Sequence, residues 1–175
     1  MDDFKYRDTV KEAIMQALVE LMKERDISQI SIKDIVARAG VGRSSFYRNF
    51  SIKEDILLQR IDALFDGISP SRPLEVAHVR EFMVGQFRVF KANRELFEVL
   101  QRNGLLYLLY PQTNRNARRL VDFHGLYRNP YQAAFFSGAG VSVLIQWIEN
   151  GFRESEEELA DMFIYLMDGR HREGQ

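Results

Sequence analysis

The sequence predicts an all-α protein, and three observations predict it. Apolar residues recur three and four positions apart through most of the 175-residue chain. A Ser or Thr followed three residues later by an acid, the spacing of a capping box, stands at Thr9/Glu12, Ser31/Asp34, Ser51/Glu54 and Ser155/Glu158. No stretch of useful length alternates apolar with polar residues as a half-buried strand does.

In chain order, Thr9 and Glu12 predict a first helix from near Thr9 to about Lys23, with Val10, Ile14, Ala17, Leu18 and Leu21 on one face. Ser31 and Asp34 open a short second helix, Ile32 to Ala39, whose Ile32, Ile35, Val36 and Ala39 share a face. Gly40-Val41-Gly42 breaks it: glycine takes the left-handed conformation that a sharp reversal needs, and Val41 anchors the turn. The third helix, Arg43 to about Asn49, sets Phe46 and Phe50 one turn apart as core residues. Its other faces carry Arg43, Ser44, Ser45, Tyr47 and Arg48. Two helices on a tight turn, the second polar, basic and aromatic outward, form the pattern of a helix-turn-helix.

Ser51 and Glu54 then predict the cap of a longer helix carrying Leu57, Ile61, Leu64, Phe65 and Ile68. Ser69-Pro70-Ser71-Arg72-Pro73 ends it and marks a domain boundary. Val79, Phe82, Met83, Phe87 and Phe90 trace the next helix, and Leu96, Phe97 and Leu100 a shorter one ending at Asn103-Gly104. Leu105 to Tyr110 is an apolar run closed by Pro111, readable as a helical turn, a pocket wall or a contact surface. Residues 111–130, rich in Arg and holding His124, read as a loop or short helix. From Tyr131 to Gly151 a helix is apolar almost all round and needs burial on two sides. Ser155 and Glu158 cap a last helix with Leu159, Met162, Phe163 and Leu166 on one face.

Charge points to the helix-turn-helix. Between Ser31 and Lys53, Lys33, Arg38, Arg43, Arg48 and Lys53 stand against Asp34 alone, a local excess of four positive charges in a chain of net charge -1. A basic island in a neutral protein suits phosphate binding. The same stretch resembles the N-terminal DNA-binding domain of the TetR/AcrR family of bacterial transcription regulators. Ala39-Gly40-Val41, Phe46-Tyr47-Arg48-Asn49-Phe50 and Ser51-Ile52-Lys53-Glu54 carry the resemblance. A weaker likeness runs through Val141, Trp147, Gly151, Ser155 and Leu159. Many members carry a hydroxyl residue where this chain has Gly42, so a side-chain cap is absent there, although glycine still serves as an N-cap.

The resemblance implies a DNA-binding domain over 8–68 and a helical domain over 69–175 that regulates and dimerises. Candidate DNA-binding residues are Lys33, Gly42, Arg43, Ser44, Ser45, Tyr47, Arg48 and Lys53. Arg43, Ser44 and Ser45 occupy the turn that meets base edges, where an Arg reading guanine is worth about 1–3 kcal/mol of discrimination. Tyr47, Arg48 and Lys53 are assigned to phosphates, Lys53 from the first turn of its helix. The family usually senses a small molecule in its second domain, which makes Phe87, Phe90, Phe97, Tyr107, Phe123 and Trp147 candidate pocket residues. The plainer account of each is core filling. The family also pairs its last two long helices between protomers. That assigns Phe136, Gly140, Val143, Leu144, Trp147, Ile148, Leu159, Met162, Phe163 and Leu166 to a homodimer interface.

Other classes fall away. Without cysteine there is no disulfide framework or thiolate metal site. His78, His124 and His171 lack metal-ligand spacing, and Asp122 with His124 has no nucleophile nearby, so no enzyme, metal or cofactor is expected. No apolar run approaches the ~20 residues of a membrane span. The charged start MDDFKYRDTV does not read as a signal peptide, and a cytoplasmic protein is expected. The expected function is a homodimeric regulator, a repressor reading a near-palindromic operator in double-stranded DNA and released by a small-molecule inducer. The alternative is an adaptor or coactivator of the same fold whose second domain docks another protein, marked by a monomer or by a large exposed apolar surface around Leu105–Tyr110.

Overall fold

The computed structural model describes residues 2–67, 78–115 and 130–167, and among them every regular element is helical. The α-helices are α1 (Asp2–Glu24), α2 (Ile32–Ala39), α3 (Arg43–Asn49), α4 (Lys53–Gly67), α5 (Val79–Ala92) and α6 (Arg94–Arg102). Then come α7 (109–115 as far as described), α8 (Pro130–Glu149) and α9 (Glu156–Met167), with 3-10 turns at Ile27–Gln29 and Leu106–Leu108. The expected boundary at Ser69–Pro73, the candidate Phe123, and His124 and His171 lie outside the described residues. Packing divides the chain into two units, Met1–Ala63 with Val99–Leu105, and Leu64–Glu98 with Leu106–Gln175.

In the first unit α1 packs on α2 and α3. Its centre is Ile14, Leu18 and Met22 of α1, Ile35 of α2, Phe46 of α3 and Ile56, Leu57 and Ile61 of α4, all fully buried. Two caps differ from expectation. α1 runs straight through Thr9, because residues 2–8 hold neither glycine nor proline to stop it. The cap of α4 lies one residue on: Asp55 Oδ2, not Glu54, accepts from the Ser51 and Ile52 amides at 2.8 and 3.0 Å. The helix begins at Lys53, so Asp55 stands at its third position, where an acid reaches back to the cap amide.

Segment 99–105, far along the chain, also folds into this unit. α6 ends at Asn103-Gly104, with Gly104 at φ 67° and the Leu105 amide donating to Leu100 O at 2.8 Å. Arg102 donates to Lys23 O at 2.9 Å, one of the carbonyls that the end of α1 leaves without a helical partner. Asn103 Oδ1 accepts from the Ile27 amide at 2.8 Å.

In the second unit α5 and α8 pack on α9. Phe87 meets Trp147 edge-on at 5.6 Å, Trp147 meets Phe152 at 4.8 Å, Phe90 meets Phe97 at 5.7 Å, and Phe65 meets Phe90 at 5.4 Å. The indole N–H of Trp147 donates to Glu154 O at 3.1 Å, so burial leaves it satisfied. Phe152 holds a left-handed φ of 57° directly after Gly151 at φ 73°, and its ring is buried in this cluster. For a residue with a Cβ that backbone costs about 1–2 kcal/mol, which the ring packing offsets. Ser155 and Glu158 form the expected capping box, amide to Glu158 Oε2 at 2.8 Å and amide to Ser155 Oγ at 3.1 Å. Exposed ion pairs Arg80–Asp161 and Arg88–Glu157 and the half-buried pair Lys91–Glu156 run along α5 and α9. Pairs of this kind align helices more than they stabilise them.

Pro111 does not close the apolar run; it sits in the first turn of α7, where its missing N–H has no helical partner to lose. Leu106, Leu108 and Leu109 are buried, while Tyr107 and Tyr110 face solvent. α8 buries Ser137, Val141, Leu144, Trp147 and Ile148 and leaves Tyr131 and Phe135 exposed near its start.

Candidate nucleic-acid interface

The site is α2, its turn and α3. Ser31 and Asp34 cap α2 reciprocally: Ser31 Oγ accepts from the Asp34 amide at 3.2 Å, and Asp34 Oδ2 accepts from the Ser31 amide at 3.0 Å. The Ser31 amide, and after it the Ser31 hydroxyl donating to Oδ2 at 2.8 Å, hold the Asp34 carboxyl below its ordinary range. At the other end Gly40 takes φ 67°, ψ 28°, and the Val41 amide donates back to Val36 O at 3.0 Å. This left-handed closure ends α2 and turns the chain into α3. Gly42 is the N-cap of α3 in extended backbone, with no side-chain cap bond, as the missing hydroxyl implied.

α3 is anchored by Phe46 and by Phe50 just beyond its end, both buried, with rings 5.7 Å apart. Tyr47 stacks edge-on against Phe46 at 5.3 Å yet is 61% exposed. Arg43, Ser44, Tyr47 and Arg48 therefore form the outward face. Ser45 does not join it: it is buried, and its hydroxyl accepts from Arg48 at 3.1 Å. Position 45 lies beside Phe46 on the inner side of so short a helix, so its hydroxyl steers Arg48. Asn49, which sequence reasoning left unassigned, donates to Ser45 O at 2.8 Å and accepts through its own carbonyl from Gln59 at 3.2 Å. Polar residues with purely internal partners leave no periodic signal.

The positive charge is narrower than the residue count implies. Arg38 is tied to Glu24 at 2.9 Å and Glu20 at 3.6 Å, and its bond to Glu24 raises its pKa further above the ordinary value. Lys53 points its ammonium at Ile27 O (2.5 Å) and Ile30 O (3.0 Å), so at least two of its three donors are used inside the protein. Lys33 and Arg43 are exposed and make no ion pair among the described residues, and Arg48 has only the neutral Ser45. The outward cations are thus Lys33, Arg43 and Arg48.

The remaining candidates separate by burial. Phe87, Phe90, Phe97 and Trp147 come together, buried and in ring contact, whereas Tyr107 is 59% exposed. Of the dimer candidates, Leu144, Trp147, Ile148, Leu159 and Phe163 are taken up by their own protomer's core. Helical spacing finds the apolar face that the body itself needs first. Phe136, Gly140 and Val143 are half-buried, with Gly140 facing the Phe163 ring, and Met162 and Leu166 are exposed. Exposed beside them, and missed by sequence reasoning, are Tyr131, Phe135 and Tyr165.

Comparison with known proteins agrees with this geometry. Residues 14–59 match the model for bacterial regulatory proteins of the tetR family, and residues 78–169, more than half the chain, match a transcriptional regulator C-terminal region. The uncharacterized HTH-type transcriptional regulator YxbF of Bacillus subtilis is 24% identical over 172 residues, covering 87% of this chain and 43% of that protein. The HTH-type transcriptional regulator AlkX of Mycobacterium tuberculosis is 27% identical over 90 residues, 49% of this chain and 43% of that one. The chain thus spans less than half the length of these two relatives. Among solved structures, a TetR transcriptional regulator from Streptococcus agalactiae superposes with a TM-score of 0.64 at 21% identity, over 93% of this chain and 95% of its own. A TetR-family regulator from Syntrophomonas wolfei gives 0.66 at 21%, covering 95% of each chain. The dihydroxyacetone kinase operon activator DhaS gives 0.63 at 17%, over 92% and 95%. At such identities the likeness speaks for the fold, and no helix among the described residues is long and apolar enough to cross a membrane. The chain belongs to the TetR family of bacterial transcription regulators.

Proposed function

We propose that the protein is a cytoplasmic, homodimeric repressor that reads a near-palindromic operator and is released by a small molecule. The observation that carries the reading is the outward face of α3. Arg43 and Ser44 stand on the first turn, where side chains meet base edges, and Tyr47 and Arg48 stand one turn on, within reach of the phosphates. Exposed Tyr131 and Phe135 on α8 and Met162, Tyr165 and Leu166 on α9 support pairing with a second copy, because apolar groups grouped on packed helices gain by leaving water together. Two-fold pairing sets two α3 helices about one DNA turn apart, roughly 34–36 Å. Support for a ligand comes from family membership. The Phe87–Trp147 cluster is filled by its own rings, so an inducer there enters by parting them.

The test is selection of bound duplexes from a randomised pool at about 150 mM salt, a condition that screens distant charges. Enrichment of one inverted repeat by the wild type, lost with Tyr47→Ala, is the expected result. Exposed Tyr107 and Tyr110 favour a second reading, an adaptor or coactivator whose second domain docks another protein, although the leucines between them are buried. Failure of a folded wild type to enrich any duplex would decide for it.

A further inference from the structure

The connection between α1 and α2 is the least regular part of the helix-turn-helix, since the 3-10 turn Ile27–Gln29 supplies little hydrogen bonding of its own. It is nevertheless held at every exposed end. Asp26 caps the turn, accepting from the Ser28 amide at 2.8 Å and its hydroxyl at 2.5 Å. The two polar groups of Ile27 are gripped by two residues from separate places further along the chain. Asn103 Oδ1 takes its N–H at 2.8 Å across 76 residues, and Lys53 Nζ gives to its C=O at 2.5 Å. The Asn103 amide is oriented by its own helix, because its Nδ2 donates back to Val99 O at 2.8 Å and leaves Oδ1 facing Ile27. Arg102 adds a bond to Lys23 O at the end of α1.

We propose that Asn103 is a positioning residue for DNA recognition, holding the Ile27 peptide so that α2 and α3 keep the orientation that base reading needs. Asn103 belongs to neither α2 nor α3, and acts through Ile27, a residue buried at the foot of α2. Base reading depends on the placement of α3, whereas non-specific attraction depends mainly on the number of cations presented. Losing the Ile27 grip therefore weakens the first and spares the second.

The experiment compares Asn103→Ala with Asn103→Asp. Asp keeps an oxygen for the Ile27 amide, loses the bond to Val99 and adds a negative charge. Binding is measured to the duplex that the wild type enriches and to a scrambled duplex, below the melting temperature of every variant, with amide hydrogen exchange read at Ile27. Asn103→Ala is expected to bind the enriched duplex about tenfold more weakly, with unchanged affinity for the scrambled one. Its Ile27 amide exchanges faster, and Asn103→Asp restores both. Equal affinity of Asn103→Ala and wild type for the enriched duplex overturns the proposal, and so does a loss that Asn103→Asp does not rescue. The inference rests on operator reading, and the exchange measurement separates the two. A wild type that enriches nothing while Asn103→Ala still loosens Ile27 strikes down operator reading and positioning for it, leaving the clamp as a structural fact.

Discussion

Replacing Lys53 by Met separates two roles that one ammonium cannot fill equally well. Met retains most of the apolar stem and removes the charge with its bonds to Ile27 O and Ile30 O. Hydrogen bonds from a charged donor contribute about 1.5–3 kcal/mol each when well buried, and Lys53 is only half-buried, so a loss of about 1–3 kcal/mol in total is expected. For a chain of this size that lowers Tm by about 2–4 °C per kcal/mol. A lysine that neutralised a phosphate would instead appear in the salt dependence of DNA binding, where each such contact adds about 0.9 to the slope of log K against log salt. With its donors turned inward, Lys53→Met is expected to leave that slope nearly unchanged, while Arg43→Ala, with no ion pair to lose among the described residues, reduces it. The assays are thermal melting without DNA and fluorescence anisotropy across a salt series. A slope reduced by about 0.9 with Tm unchanged would refute the reasoning and return Lys53 to the phosphate backbone.

Further outcomes follow from the same geometry. Tyr47→Ala should abolish specific binding while shifting stability by no more than about 0.5 kcal/mol, since the side chain is largely exposed; affinity measured beside denaturant unfolding checks both halves. Gly42→Ser should stabilise by a few tenths of a kcal/mol in denaturant unfolding, because position 42 has ordinary extended backbone and an added Cβ meets nothing nearer than Ser44 Oγ at 3.7 Å. At Phe152 the usual order of Ala over Gly should invert: both variants lose the ring, but only Gly relieves the left-handed backbone, and urea unfolding followed by Trp147 fluorescence reads the difference. The Ser155 amide and hydroxyl hold Glu158 below its ordinary value of 4.5, so this carboxylate stabilises the fold above that pH, and the contribution is lost as pH falls through the lowered value. The Tm gap between wild type and Glu158→Gln should accordingly be widest at neutral pH and close as the pH falls through the lowered value.

The sequence carried the helices wherever apolar spacing and a cap agreed, as at Ser31/Asp34 and Ser155/Glu158. It misplaced starts where two acids competed for one cap, as with Glu54 and Asp55, or where a helix had no reason to stop, as before Thr9. Within the interface, the outward set of α3 follows from Phe46 and Phe50 facing inward. The partners that silence Arg38 sit on α1 and those that turn Lys53 inward sit in the connection between α1 and α2, and no local pattern reports them. The same holds in the second unit. Periodicity marks Leu144, Ile148 and Leu159 as apolar without saying that their own body consumes them, and Tyr131 and Phe135 differ from them only in what lies opposite.

The return of residues 99–105 to the first unit bears on how such regulators can be recombined. A chimera joined at the apparent end of the DNA-reading segment, near residue 68, inherits α1 to α4 but leaves Arg102 and Asn103 behind with the donor's body. Its new body must supply an acceptor for the Ile27 amide and a donor for Lys23 O from an unrelated sequence. Under the positioning role proposed for Asn103, specificity is not fully portable on α1 to α4 alone, and grafts that carry residues 99–105 along should outperform those cut at the sequence boundary.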